Sequence, residues 1–154
     1  MTSLLSDRDY LFVYGTLRQD ANNQMSHILA LYADFVGKGT FHGKLYDVDE
    51  YPGAVPSNET SDVIQGEVYA LRDRDRVLRV LDEYEGCGPD EPLPTEFRRE
   101  RMTVFLENGE KVQAWIYIYN RPTNGLTPIL SGNYLEFTEQ KICGPSYDKM
   151  VSHL

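Results

Sequence analysis

Ala114-Trp115-Ile116-Tyr117-Ile118-Tyr119 is the stretch on which the fold turns. An extended run with no polar alternate is apolar on both faces, so it belongs at the centre of a covered sheet. Its partner lies just upstream. Arg99 to Glu107 and Lys111 to Tyr119 read as two strands joined at Asn108-Gly109, the dipeptide favoured in tight two-residue hairpin turns. Arg121-Pro122 ends the second strand, because proline brings no ladder donor.

Working outward from the hairpin, Arg74 to Tyr84 has helical spacing, with Val77, Leu78, Leu81 and Tyr84 on one face and Gly86 just past its end. Ile64 to Ala70 is a strand in which Gly66 marks a bulge or a close approach. Tyr10 to Tyr14 is a short aromatic and β-branched strand ended by Gly15. Ser26 to Phe35 is spaced as a short helix, and Gly37, Gly39 and Gly43 punctuate a strand from Val36 to Tyr46. Two prolines make Tyr51-Pro52-Gly53-Ala54-Val55-Pro56 an irregular loop, and Gly132-Asn133-Tyr134-Leu135 starts a last short helix. Strands dominate, with one helix crossing between them, which gives an α+β chain with a mixed sheet. No repeat, low-complexity segment or linker divides residues 1–154, so one domain is expected, with its core at about residues 10–140.

A formal charge of -9 excludes the basic surfaces that nucleic acid and anionic membranes require. An acidic substrate must then be held by local donors rather than by the overall field. No apolar run approaches the roughly 20 residues of a membrane span, and residues 1–10 are too acidic for a signal peptide. Cys87 and Cys143 therefore read as thiols in a cytoplasmic protein. His27, His42 and His153 form no ligand spacing with them, so no metal is expected.

Two features point to chemistry. Helical spacing puts Glu85 over Leu81 and Leu78, while Asp82 and Glu83 turn away as solvated charges. A carboxyl that is desolvated at the negative end of a helix dipole has a raised pKa, as a general base working near neutrality requires. Position alone leaves a second reading, a Glu curling into solvent at a frayed helix end. In Tyr14-Gly15-Thr16-Leu17 a strand ends in Gly followed by Thr, which can turn several N–H groups toward one anion. An ordinary turn fits the same four residues. The run Glu96-Phe97-Arg98-Arg99-Glu100-Arg101 alternates Arg99 and Arg101 against Arg98 and Glu100, the pattern of cross-strand ion pairs on a solvated face.

Taken in order, five segments resemble the γ-glutamylcyclotransferase superfamily, including its AIG2-like branch. They are Phe12-Val13-Tyr14-Gly15-Thr16-Leu17-Arg18, Tyr51 to Pro56, Gly66-Glu67-Val68-Tyr69, Leu81-Asp82-Glu83-Tyr84-Glu85-Gly86, and Tyr117-Ile118-Tyr119-Asn120-Arg121-Pro122. The resemblance runs from about Tyr10 to Leu135 and implies a small mixed β-barrel with flanking helices and a cavity at one end. It further implies that Tyr14, Gly15, Thr16 and Leu17 clamp the α-carboxylate of a γ-glutamyl group, that Glu85 is the acid/base, and that no cofactor is needed. Where relatives commonly read Tyr-x-Arg, this chain has Phe97-Arg98-Arg99.

The expected reaction is intramolecular aminolysis of a small γ-glutamyl amine or peptide, closing 5-oxoproline and releasing an amine. Tyr119, at the end of the central strand, offers a hydroxyl near the site or a place in the core. Asp90, Glu91 and Glu96, in the loop from Cys87 to Glu96, would favour a cationic leaving amine if that loop overhangs the pocket. The alternative is a binding or sensing module of the same fold that holds a γ-glutamyl group or 5-oxoproline without turnover. The residues specify neither the leaving amine nor an oligomeric state.

Overall fold

The computed structural model describes residues 9–15, 24–48, 51–87 and 93–142. Along the chain run β1 (Tyr10–Val13), α1 (Gln24–Tyr32), β2 (Ala33–Asp47), β3 (Pro52–Pro56) and β4 (Val63–Leu71). These are followed by α2 (Arg74–Tyr84), β5 (Phe97–Leu106), β6 (Lys111–Tyr119), β7 (Thr127–Pro128) and α3 (Tyr134–Ile142).

The doubly apolar segment is β6, and it is paired along both edges. One edge carries β5, antiparallel from Phe97↔Tyr119 to Phe105↔Lys111. The other edge serves two parallel strands in succession, β1 at Tyr10↔Ala114 and Leu11↔Trp115, then β3 at Ala54↔Ile118. From β1 the ladder continues antiparallel to β4, from β4 to β2, and from β2 back to β5 at Gly39↔Leu106 and Thr40↔Phe105. The circuit β1-β4-β2-β5-β6 is therefore closed, with β3 wedged between β2 and β6 and β7 beside the end of β2. Closing the ring removes the open sheet edges that would otherwise template aggregation.

Alternation along β6 separates two apolar layers. Ala114, Ile116 and Ile118 join Phe12, Phe41, Ile64 and Val68 in one cluster, the barrel interior. Tyr117 and Tyr119 join Leu11, Val13, Val77 and Leu81 in the other, which lies between the barrel wall and α2. Full burial of a side chain such as Leu81, 1% exposed, stabilises the fold by about 1.5–3 kcal/mol. Among the described residues no helix is long and apolar enough to cross a membrane.

The helix expected from Arg74 to Tyr84 has those bounds, and its end is closed by a Schellman motif. The Cys87 N–H donates to Asp82 O at 2.9 Å and the Gly86 N–H to Glu83 O at 3.2 Å, with Gly86 at φ +73°. Three local readings differ from the structure. The helix expected over Ser26 to Phe35 ends at Tyr32, because Ala33 and Phe35 already pair with Leu71 and Tyr69 of β4. Tyr51 to Pro56 is not an irregular loop. Its prolines bracket β3 at first and last position, where a missing donor costs the ladder least, and Lys44↔Val55 to Tyr46↔Gly53 pair between them. At the hairpin the Gly109 N–H donates to Leu106 O at 2.9 Å, and of the turn residues only Gly109 has positive φ. A two-residue type I′ turn requires positive φ at both central residues. The turn is instead three residues long, Glu107-Asn108-Gly109, ending in a glycine bulge.

Gly66 is the close approach its place in the strand suggested. A Cβ there would lie 2.3 Å from Val13 O and 2.7 Å from Phe12 Cζ. Gly66→Ala should therefore lower stability by about 1–3 kcal/mol, read as a lower urea midpoint at unchanged m-value.

Candidate active site

Two strands cannot share the same rungs of β6, and the site grows from the gap between them. β1 leaves β6 after Leu11↔Trp115, and β3 joins it only at Ala54↔Ile118. Tyr14, immediately after β1, fills the interval with its side chain. Its hydroxyl donates to the Tyr117 carbonyl in a short hydrogen bond and accepts from the Ala54 N–H at 3.3 Å. The phenol thus bridges β6 and β3 at their rung. Gly15 follows at the head of β3, where a Cβ would lie 2.6 Å from Pro52 Cγ. Tyr14 and Gly15 therefore occupy one buried corner. Thr16 and Leu17 lie outside the described residues, as do Asp90 and Glu91.

Glu85 caps α2 at its C-terminal end, with its N–H donating to Leu81 O at 2.8 Å. The residue is half-buried while its carboxyl lies deep, and its negative charge acts on the Tyr14 hydroxyl, the Tyr117 hydroxyl and the Cys87 thiol. The structure thus brings Glu85 to the Tyr14 end of the barrel, and the outward-curling alternative does not hold. Burial, and after it the charge of Glu96, raise the Glu85 carboxyl from the ordinary 4.5 to about 7.

The same setting keeps the neighbouring groups protonated. Burial, then the charge of Glu85, drives the Tyr14 phenol far above its usual range. Burial and the hydrogen bond to Asp82 do the same for Tyr117. Burial, then the charges of Asp82 and Glu85, push the Cys87 thiol up to about 12, which removes its thiolate near neutrality. Both tyrosines are hydrogen-bond donors, and Glu85 is the group in this corner that can take up and release a proton near pH 7.

Aromatic rings form the wall beyond. Phe97 lies opposite Tyr119 on the ladder with ring centroids 5.6 Å apart, and Tyr51 stands 6.1 Å from Phe97. Tyr119 is buried and packs its ring against Gly53, where a Cβ would lie 3.0 Å from its Cβ and Cγ, so it belongs to this wall and to the outer core alike. Glu96 accepts a short hydrogen bond from the Tyr51 hydroxyl and lies 4.0 Å from Arg121.

Asp82 is not the solvated charge expected from the sequence. Its carboxylate is half-buried, takes the Arg99 guanidinium at 2.8 and 3.2 Å, and accepts from the Tyr117 hydroxyl at 2.7 Å. The expected cross-strand ion pairs do not form at these residues: Arg99 pairs with the helix, and Arg98 pairs with Glu100 two residues along its own strand, on the exposed side. The signal for Asp82 was present, because it stands four residues after Leu78 and so lies on the buried stripe. The partners of Tyr51 and Tyr117 carried no local mark, since each comes from a distant element. Among the described residues no group of three or more His, Cys, Asp or Glu is placed to hold a metal ion.

Comparisons with known proteins agree with this architecture. The family model described as gamma-glutamyl cyclotransferase, AIG2-like, matches residues 11–136. The gamma-glutamylcyclotransferase family protein YtfP of Citrobacter rodentium is 37% identical over 127 residues, 82% of this chain and 95% of that protein. The gamma-L-glutamyl-butirosin B gamma-glutamyl cyclotransferase of Niallia circulans is 34% identical over 114 residues, 72% of this chain and 67% of that one. The solution structure of YtfP from Escherichia coli superposes with a TM-score of 0.57 at 30% identity, covering 84% of this chain and 98% of that one. With the family model matched over residues 11–136 and a relative 37% identical along most of its length, this chain belongs to the AIG2-like γ-glutamylcyclotransferase family.

Proposed function

We propose that the protein is a cyclotransferase that releases 5-oxoproline and a free amine from a γ-glutamyl amine or γ-glutamyl peptide, with Glu85 as the acid/base. The observation that carries this reading is the Glu85 carboxyl, raised to about 7, beside the Tyr14 corner at the C-terminal end of α2. In this reading the N–H groups of Tyr14, Gly15, Thr16 and Leu17 hold the substrate α-carboxylate, and the Tyr119 ring bounds the glutamyl chain. The α-amine then attacks the γ-carbonyl of the same molecule, so alignment rather than an enzyme nucleophile supplies much of the rate. A C–N bond forms to close the five-membered lactam, and the original γ-amide C–N bond breaks. Glu85 takes the proton from the attacking amine and returns it to the departing nitrogen. An apolar, aromatic wall excludes water that would compete for the carbonyl. The protonated Cys87 thiol supports a direct cyclisation over a thiol-acyl route. No cofactor enters the scheme, and its free thiol fits a cytoplasmic setting.

Three measurements follow. In the first, 5-oxoproline release from a panel of γ-glutamyl amines and dipeptides should occur in wild type and drop by at least about 100-fold in Glu85→Gln, the scale of a lost acid/base. Equal turnover in the two proteins removes Glu85 from the chemistry. Stabilisation by 5-oxoproline without product from any substrate would instead mark a binding module.

The second is the pH profile. The acidic limb of kcat/KM should lie near 7, where Glu85 ionises in the free enzyme. Glu96→Gln removes the neighbouring negative charge and should move that limb to lower pH. The substrate ammonium acts in the same direction, so the limb of kcat should lie below that of kcat/KM.

The third requires no substrate. A carboxyl raised from 4.5 to about 7 by folding binds more protons in the folded than in the unfolded chain between those values. The stability it contributes is complete below about pH 4.5 and is lost as the pH rises through 7. Because Glu85 keeps some exposure, the expected size is on the order of 1–2 kcal/mol. Urea unfolding at pH 4.5 and pH 8 should show the stability of Glu85→Gln relative to wild type rising by that amount. An unchanged difference would mean that the carboxyl titrates normally.

A further inference from the structure

The two halves of the site stand on separate elements, Tyr14 after β1 and Glu85 after α2, and one residue touches the supports of both. The Tyr117 carbonyl accepts the Tyr14 hydroxyl, while the Tyr117 hydroxyl donates to Asp82 Oδ1 at 2.7 Å. Asp82 in turn holds the helix end, since its main-chain oxygen accepts the Cys87 N–H at 2.9 Å and so closes the turn in which Glu85 is the C-cap. Its carboxylate is gripped from the sheet by Arg99 Nε at 2.8 Å and Nη2 at 3.2 Å, and that guanidinium lies 4.5 Å from the centroid of the Trp115 ring. A hydrogen-bonded path therefore runs from Tyr14 through both ends of Tyr117 to Asp82 and into the turn that carries Glu85.

Resting on the function proposed above, we infer that Tyr117 is a positioning residue which, through Asp82 and with Arg99, sets the distance between the Glu85 carboxyl and the Tyr14 corner. β6 is hydrogen-bonded along both edges, so its backbone is a fixed reference. A strand directs the carbonyl along the sheet and the side chain perpendicular to it, which lets one residue address two elements in different layers. The end of a helix frays most easily, and Asp82 adds a carboxylate at the negative end of the helix dipole, a locally unfavourable place. The Arg99 fork offsets that charge, and the Tyr117 hydroxyl fixes where the turn sits against the barrel. An acid/base misplaced by about 1 Å forfeits up to roughly 100-fold in rate, so the link belongs to the chemistry as well as to the packing.

Tyr117→Phe is the direct test, because it removes the hydroxyl and keeps both the ring in the outer cluster and the carbonyl that holds Tyr14. Its kcat should fall by about tenfold or more, with KM changed by less than about threefold and Tm nearly unchanged. Arg99→Lys, which keeps the charge and loses the fork, should fall in the same way. Combined with Asp82→Asn, Tyr117→Phe should add little to the loss from Asp82→Asn alone, since the two act as one unit. Native-state hydrogen exchange gives a readout independent of turnover. The Glu85 and Cys87 amides should exchange faster in Tyr117→Phe, while those of β6 keep their protection.

Unchanged kcat in Tyr117→Phe, alongside a Glu85→Gln variant that has lost turnover, would overturn the inference. So would losses that multiply independently in the double variant, or unaltered exchange at Glu85 and Cys87. Full turnover in Glu85→Gln is a different failure. It defeats the function proposed for Glu85, while the exchange measurement still decides whether Tyr117 holds the helix end.

Discussion

β6 must serve two parallel strands along one edge, and a strand edge offers each rung once. β1 takes the rungs at Ala114 and Trp115, and β3 takes the rung at Ile118. The Tyr117 carbonyl and the Ala54 N–H meet where β3 joins this edge, and an unpaired backbone group there would be costly to bury. The Tyr14 hydroxyl bonds to both, being a group that can donate and accept at once. The seam of the barrel and the start of the site are thus the same place. Tyr14 is held there by backbone groups of two strands distant in sequence from its own.

From that constraint the electrostatics follow. The corner is lined by aromatic rings and closed on one side by α2, so a carboxyl entering it loses water. Glu85 enters from the helix end and meets a second negative charge, Glu96, across the corner. Burial and like charge act in the same direction, and the group titrates near neutrality instead of near 4.5. The fold gives up some stability above pH 7 to hold it there. Tyr14 and Tyr117 stay protonated in the same field, so the corner holds two fixed donors and one group able to exchange a proton.

Phe97 is buried opposite Tyr119 and beside Tyr51, so three aromatic rings form one side of the corner. In this chain the neighbouring polar functions come from Tyr51 and Glu96, which bond to each other. The wall is thus apolar at Phe97 and Tyr119 and carries a carboxylate at Glu96.

The sequence by itself determined the features whose causes are local. The bounds of α2 follow from its apolar stripe and Gly86, and the central place of β6 from its two apolar faces. The spacing of Glu85 with Leu81 and Leu78 allowed its turn toward the barrel, and the tertiary structure decided it against the solvent-facing alternative. The barrel itself was legible only through the order of the family segments, because its closure rests on β6 pairing with β1 and β2 pairing with β5, contacts with no local signature. Tertiary structure alone decided that the proline-bracketed segment is a strand, that Asp82 bridges Arg99 and Tyr117, and that Glu96 reaches the field of Glu85. The physical reason is common to all three. Periodicity reports which face of an element is buried, whereas a ladder rung or a buried charge depends on what the rest of the chain places opposite it.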